Sequence, residues 1–304
     1  MSCDNIPHNG DVTKSTVLGL ANAIDSALAD WISLNVSFPN SMVDCIAPAV
    51  SSEQIERIEK LFTIEDKAPV LCESYRQWVL EDNFVNGRPA LENVGVQFVD
   101  DVSPYELMKL RILNGGHAAM AYPAALLGMT YAHEGASDNL IQRYLHKLVF
   151  EEIIPSLPDV PGIDLADYFN IIIQRFSNPE IKDTIERLCQ DGANRLPKFI
   201  LPTISTNREE QRSCDGLALV LALWCQLCLE NGKATLSITL HDSNANSLYQ
   251  QALSAQAEPS FFLAMKDIFG PLSDDAVLQQ HFEKWLTSLQ EVGVEATIAR
   301  YIDS

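Results

Sequence analysis

From Pro104 to the C-terminus almost every segment repeats its apolar residues at spacings of three and four, which confines roughly 200 residues to helix packed on helix. The period predicts helices over 104–114, 117–130, 137–154, 164–176, 178–189, 209–231, 245–254, 259–268, 274–291 and 293–302, with proline or glycine at several breaks. Before Pro104 the pattern is mixed. STVLGLANAIDSALADWISL (15–34) predicts an amphipathic helix with Ser15 or Thr16 as its N-cap. FPNSMVDCIAPAV (38–50), APVLCESYRQWVLE (68–81) and NVGVQFVDDVSP (93–104) each hold a short strand-like piece. SSEQIERIEKLF (51–62) predicts a helix opened by a capping box, with Glu at its third position. The expected fold class is therefore mixed α/β followed by all-α.

The first portion lacks the parts of a complete doubly wound domain, which needs several parallel strands each followed by a helix. No GxGxxG occurs, and the only adjacent glycines are Gly115 and Gly116. The chain opens directly on polar SCDN, with no strand before it.

A net charge of −20 argues against nucleic acid or an anionic membrane surface as the main partner, though not against a small anion held by local cations. The longest uninterrupted apolar run, LALVLAL (217–223), is too short to span a bilayer. MSCDNIPHNG has neither a basic n-region nor an apolar h-region, so no signal peptide is expected. Seven scattered cysteines suit free thiols in a reducing cytoplasm. Cys225 and Cys228 form a CxxC inside an apolar helical stretch, with no second CxxC or HxxxH to complete a metal site, so no metal is expected.

Three stretches carry candidate chemistry. YELMKLRILNGGH (105–117) is apolar in nearly every helical direction, yet contains Lys109, Arg111, Asn114 and His117. At about 100° per residue, Asn114 lies about 140° and His117 about 80° from Lys109, so the three share less than half the circumference. Arg111, about 200° from Lys109, is expected to face away and pair with an acid. The bland alternative is a snorkelling lysine, a capping asparagine and a satisfied core histidine. The chemical one is a lysine in low dielectric, where the neutral amine acts as a base, beside an asparagine donating to an oxygen that gains charge. Gly115 and Gly116 leave room for a chain or ligand to come close. ERLCQDGANRLPKF (186–199) places Arg187, Arg195 and Lys198 at a helix end and a loop before Pro197. This is either a cation-rich helix C-terminus or a pocket for hydroxyls or an anion. Asn5 in CDN and Asp44 in NSMVDC read, taken alone, as turn formers.

Together these pieces resemble the long-chain, polyol-specific mannitol dehydrogenase family. The resemblance rests on SCDNIPHNG, FPNSMVD, RQWVLEDNFVNGRPALENVGVQFVDDV, PYELMKLRILNGGH, RFSNPEIKDTIERLCQDGANRLPKFILP and FFLAMKDIFG, spread over essentially the whole chain. It implies the tail of a Rossmann-type NAD-binding domain (1–98) followed by a large, mostly helical substrate domain (99–304). Family members extend further at the N-terminus, so a fragment or a late start codon is expected. It implies an NAD(P)-dependent polyol dehydrogenase of the mannitol 2-dehydrogenase type, acting on a small polyol or sugar acid, with no metal. By motif position Lys109 resembles the general base, and Asn5 and Asn114 the pair that hydrogen-bonds the reacting oxygen. His117 resembles a substrate-orienting histidine. Arg187, together with Arg195 or Lys198, resembles substrate-side contacts, and Asp44 an acidic position near cofactor or substrate. NAD is the expected cofactor, with NADP the other choice. The glycine-rich loop that would hold it is absent, so no cofactor-binding residue is assigned. One departure is Gly116, where relatives commonly carry a small polar residue such as serine.

A fructuronate or tagaturonate reductase is the rival within the class, since a substrate carboxylate would suit the arginines. Turnover of D-mannonate without D-mannitol would favour it. From another class comes a non-catalytic fragment unable to bind cofactor, which calorimetry with NADH on these 304 residues would test. The specific substrate, the choice of nucleotide and the oligomeric state are not encoded in any motif found.

Overall fold

The computed structural model describes residues 1–48 and 50–304; Ala49, inside the 38–50 stretch, lies outside them. The chain divides into two compact units, Met1–Lys109 and Leu110–Ser304. The first is α/β with a small sheet and the second is helical.

The first unit centres on β1 (Ser41–Asp44), β2 (Gln77–Glu81) and β3 (Gln97–Val99), in the order β1-β2-β3. β1 runs antiparallel to β2 with Met42 opposite Val79; β2 runs parallel to β3 with Leu80 opposite Phe98. Met42, Val79 and Leu80 are buried. The expected single helix over 15–34 starts earlier and is split, into Asn9–Ile24 and Ser26–Asn35. Tertiary contacts override the Ser15 or Thr16 cap. Asn9 Nδ2 donates to Ser41 O at 2.8 Å while Asn9 Oδ1 accepts from Ser41 N at 3.0 Å, which locks the helix start against β1. Gly10 sits so close to the 38–39 backbone that a Cβ would lie 2.4 Å from Phe38 O. Asp25 breaks the run by turning extended and capping Ala27 N. The helix Ser52–Phe62 has its capping box, but the partner of Ser51 is Gln54 rather than Glu53.

The second unit is built around Asp215–Gly232, with Leu217–Cys225 buried throughout. A helix apolar on all sides needs neighbours on all sides, and the last helix, Ala276–Asp303, is one of them, with Trp285 Nε1 donating to Asp215 O. That helix is interrupted at Gly293 (φ 80), at the expected break between 291 and 293. The expected run over 209–231 instead starts at Asp215, after Gln211 turns left-handed. Two helices lie where none was expected, Gly192–Phe199 and Leu201–Glu209. Pro197 does not prevent the first, which ends two residues later, and Pro202 suits the opening turn of the second. The 178–189 helix is reduced to a short 3₁₀ turn, Pro179–Ile181, and Ile185–Cys189. The 259–268 helix is likewise cut, to Ser260–Leu263 and Lys266–Phe269.

Two expected helices change type partway. The 104–114 run is α-helical over Ser103–Met108 and π-helical over Lys109–Asn114. The 137–154 run is α-helical over Asn139–Leu148, π-helical over Val149–Ile153 and 3₁₀ over Ile154–Ser156. Both π segments carry buried charge: Lys109 and Arg111 in the first, Glu152 in the second.

Candidate active site

Within the first unit, Lys109 is buried and its Nζ donates to Asn5 Oδ1 at 2.8 Å and to Val43 O at 2.6 Å. The sequence separations, 104 and 66 residues, hide both contacts from any local pattern. Val43 O is presented by β1, and Asp44 is buried next to it. Asn5 lies on an exposed turn that Asn9 Nδ2 ties down by donating to Asp4 O at 3.0 Å. Glu106 secures the other end of that turn by accepting His8 N on both carboxylate oxygens, at 3.2 and 3.3 Å. Burial outweighs those bonds and raises the Glu106 carboxyl above its ordinary range.

Lys109 and Asn114 are the first and last residues of one π segment. A π turn closes from residue i to i+5, so residues five apart lie one wide turn apart rather than the about 140° that α-helical geometry gives. The helix resumes as α at Gly115–Leu126, carrying His117. The two glycines differ in setting. A Cβ on Gly115 would lie 3.2 Å from Phe199 O, whereas one on Gly116 would meet nothing within 4 Å.

Within the second unit, Asn114 is buried and its Nδ2 has no hydrogen-bond partner among the described residues. His117 is buried and stacks on Phe176, with ring centroids 3.7 Å apart and planes 14° from parallel. Burial first, then the charges of Arg187, Arg195 and Arg175, hold its imidazole well below the ordinary histidine range, so it is neutral. Arg187 is gripped by Asp183, Nε to Oδ1 at 2.6 Å and Nη2 to Oδ2 at 2.5 Å, and these bonds raise its guanidinium further. Arg195 Nη1 donates to Leu188 O at 2.5 Å. Lys198 lies exposed on the same helix. The structure thus brings His117 under the influence of Arg187 and Arg195.

Arg175, in the RFSNP stretch, carried no expected role; it is buried and its charge also acts on His117. Arg111 corrects an expectation. It pairs with no acid: Nη1 donates to Ser156 O at 2.7 Å and Ser156 Oγ at 2.9 Å, and Nη2 to Thr206 Oγ1 at 3.2 Å. Burial, then Arg212, lowers its guanidinium. Its work is structural, joining the 3₁₀ turn Ile154–Ser156 to the helix Leu201–Glu209.

Among the described residues no group of three or more His, Cys, Asp or Glu side chains could hold a metal ion, and no helix is long and apolar enough to cross a membrane. Cys225 and Cys228 are buried in the central helix, and burial raises both thiols.

Two family profiles match the chain: the mannitol dehydrogenase Rossmann domain over residues 1–93 and the mannitol dehydrogenase C-terminal domain over residues 101–290. A mannitol 2-dehydrogenase of Cereibacter sphaeroides is 44% identical over 302 residues, covering 99% of this chain and 63% of that protein. Among solved structures, the Pseudomonas fluorescens mannitol 2-dehydrogenase ternary complex with NAD and D-mannitol is similar at a TM-score of 0.88 and 40% identity, covering 100% of this chain and 62% of that one. A D-sorbitol dehydrogenase in substrate-free form is similar at a TM-score of 0.86 and 32% identity, covering 98% and 62%. The chain therefore spans 62–63% of the length of these relatives.

Proposed function

The chain belongs to the mannitol dehydrogenase family, and from that premise we propose that it serves the NAD-dependent oxidation of a polyol, D-mannitol to D-fructose, in the cytoplasm. Residues 1–98 are read as nucleotide-domain sequence and 99–304 as the substrate domain. The observation that carries the reading is the placement of Lys109 Nζ between Asn5 Oδ1 and Val43 O.

Oxidising an alcohol removes a proton from oxygen and a hydride from carbon. Bound NAD supplies the hydride acceptor. No GxGxxG occurs in the sequence, so the fit of these residues concerns the alcohol side alone. Hydrogen bonds to Asn5 Oδ1 and Val43 O fix the position of Lys109 Nζ, whose amine is the general base. It takes the alcohol proton and returns it in the reverse direction. Asn5 spends its carbonyl oxygen on Lys109, so its amide nitrogen is the end left to donate. The Asn114 amide is the second donor to the oxygen as it gains charge. His117, neutral, orients a hydroxyl of the substrate. Arg187, with Arg195 or Lys198, and Asp44 are further contacts on the substrate or cofactor side.

The carboxylate of Asp183 already occupies the Arg187 fork. A bidentate pair of this kind satisfies the guanidinium, which favours an uncharged polyol over a sugar acid. The test compares D-mannitol with D-mannonate as substrates and adds Lys109→Ala. Turnover on mannitol that falls by about 10²–10⁴ in the variant, with unchanged circular dichroism, supports the assignment. Near-normal turnover by the variant refutes the base, and turnover of mannonate alone refutes the polyol.

A further inference from the structure

Two cysteines far apart in sequence meet just beyond the end of β1. Glu73 N donates to Ile46 O at 3.0 Å, and Ile46 N donates to Glu73 Oε1 at 2.7 Å, so residues 72–73 run beside residues 45–46. Cys45 Sγ reaches the Glu73 carbonyl at 3.9 Å. That pairing sets Cys45 and Cys72 at neighbouring positions of the two segments, and both are exposed free cysteines. Neither has a part in the polyol chemistry. Their neighbourhood differs from that of the four buried cysteines, which solvent cannot reach.

We propose that Cys45 and Cys72 form a redox-modification site that closes to an intramolecular disulfide when it meets a low-molecular-weight disulfide such as glutathione disulfide. The Cys72 thiolate attacks one sulfur of the oxidant, forming a mixed disulfide and expelling one thiolate, which takes up the proton Cys72 lost. Cys45, deprotonated in turn, attacks Cys72 Sγ and expels the second small thiolate, which takes up the Cys45 proton. Two protein thiols are oxidised and one small disulfide is reduced to two thiols.

The order of the steps follows from the surroundings. Burial first, then the neighbouring Cys72, Glu73 and Asp44, push the Cys45 thiol up to about 11, so little of it is thiolate near neutral pH and it suits the second, intramolecular step, where the target sulfur is held close. Closure clips the segment that carries the helix Ser52–Phe62 to the end of β1, the strand that presents Val43 O to Lys109.

Trypsin separates the two sites, since Arg57, Lys60 and Lys67 lie between them and Lys14 and Arg76 bound their peptides. The full chain is incubated with glutathione disulfide, alkylated and digested. The proposal expects a linked pair of peptides, 15–57 with 68–76, an intact mass lower by two hydrogens, and two fewer of the seven thiols reacting after denaturation. C45S should stop at a stable glutathione adduct on Cys72, while C3S should close normally. Separate adducts on both cysteines, a link involving Cys3, or no reaction at all would overturn it. Because every readout is mass or thiol count, the result is independent of which polyol is turned over.

Discussion

At the scale of single residues, the amide proposed to donate to the reacting oxygen gives a sharp test. Asn114 Nδ2 is buried without a partner among the described residues, and such a group costs about 1–3 kcal/mol. Asn114→Ala should therefore leave the thermal midpoint unchanged or raised while lowering turnover by about 10²–10³, the usual effect of losing one donor to a developing oxyanion. A sharp fall in midpoint with unchanged turnover would make it a packing residue instead. His117 gives a prediction in pH. Its folded-state pKa lies below the unfolded value of about 6.5, so the unfolded chain takes the proton first. The stabilising contribution is complete above about 6.5 and is lost as pH falls below it. Urea midpoints measured from pH 7.5 down to 5 should drop less for His117→Phe, which keeps the stack on Phe176 without the titration; parallel curves would contradict this. At this scale the sequence was informative about residue types but not partners. The tension of Lys109 and Asn114 in an apolar run was legible, whereas Asn5 and Val43 as the oxygens that hold Lys109 were not, because nothing local encodes a contact across 104 or 66 residues.

Among elements, the two π segments are what periodicity could not supply. Apolar spacing of three and four fits α and π turns nearly alike over six residues, so Lys109–Asn114 and Val149–Ile153 read as plain helix. Each widened turn carries a polar group that serves a distant element. In the second, Glu152 Oε1 accepts from Gly216 N at 2.7 Å and Oε2 from Leu217 N at 2.9 Å, with Ser213 Oγ at 3.2 Å from Oε1. Those amides belong to the first turn of Asp215–Gly232, where backbone N–H groups have no partner within the helix. The central helix is thus capped by a carboxylate more than sixty residues away rather than by its own N-cap residue, Cys214. Glu152→Ala leaves two buried donors unsatisfied, and at about 1–3 kcal/mol for each such group it should lower stability by several kcal/mol in urea unfolding, with Glu152→Gln intermediate. A loss under about 0.5 kcal/mol, the range of ordinary surface changes, would show that water takes over the cap. The boundaries that were legible are those written in single residues: the glycine break at Gly293 and the proline-led start of Ser103–Met108.

For the whole molecule, the division of labour between apolar surface and core differs between the two units. The fully buried large side chains Trp224, Trp285, Tyr122, Tyr144, Phe262 and Phe282 all belong to Leu110–Ser304. Among the described residues of Met1–Lys109 the large buried apolar side chains are Tyr105, Met108, Leu80 and Met42, with Val79, Val96 and Val102, while Leu20, Ile24, Trp31, Leu34, Phe62 and Val70 are exposed by 58% or more. The change of pattern at Pro104 made the two kinds of architecture legible, but not this imbalance, since a helix period shows which face is apolar and not whether anything covers it. Stability scales with apolar area buried, so the two units should open at different denaturant concentrations. Hydrogen exchange followed by mass spectrometry along a urea gradient should show peptides from Met1–Lys109 losing protection first, and those from Asp215–Gly232 only at the second, higher transition. Global unfolding by one cooperative step would expose both sets together, and coincident loss of protection would refute the imbalance as a determinant of stability.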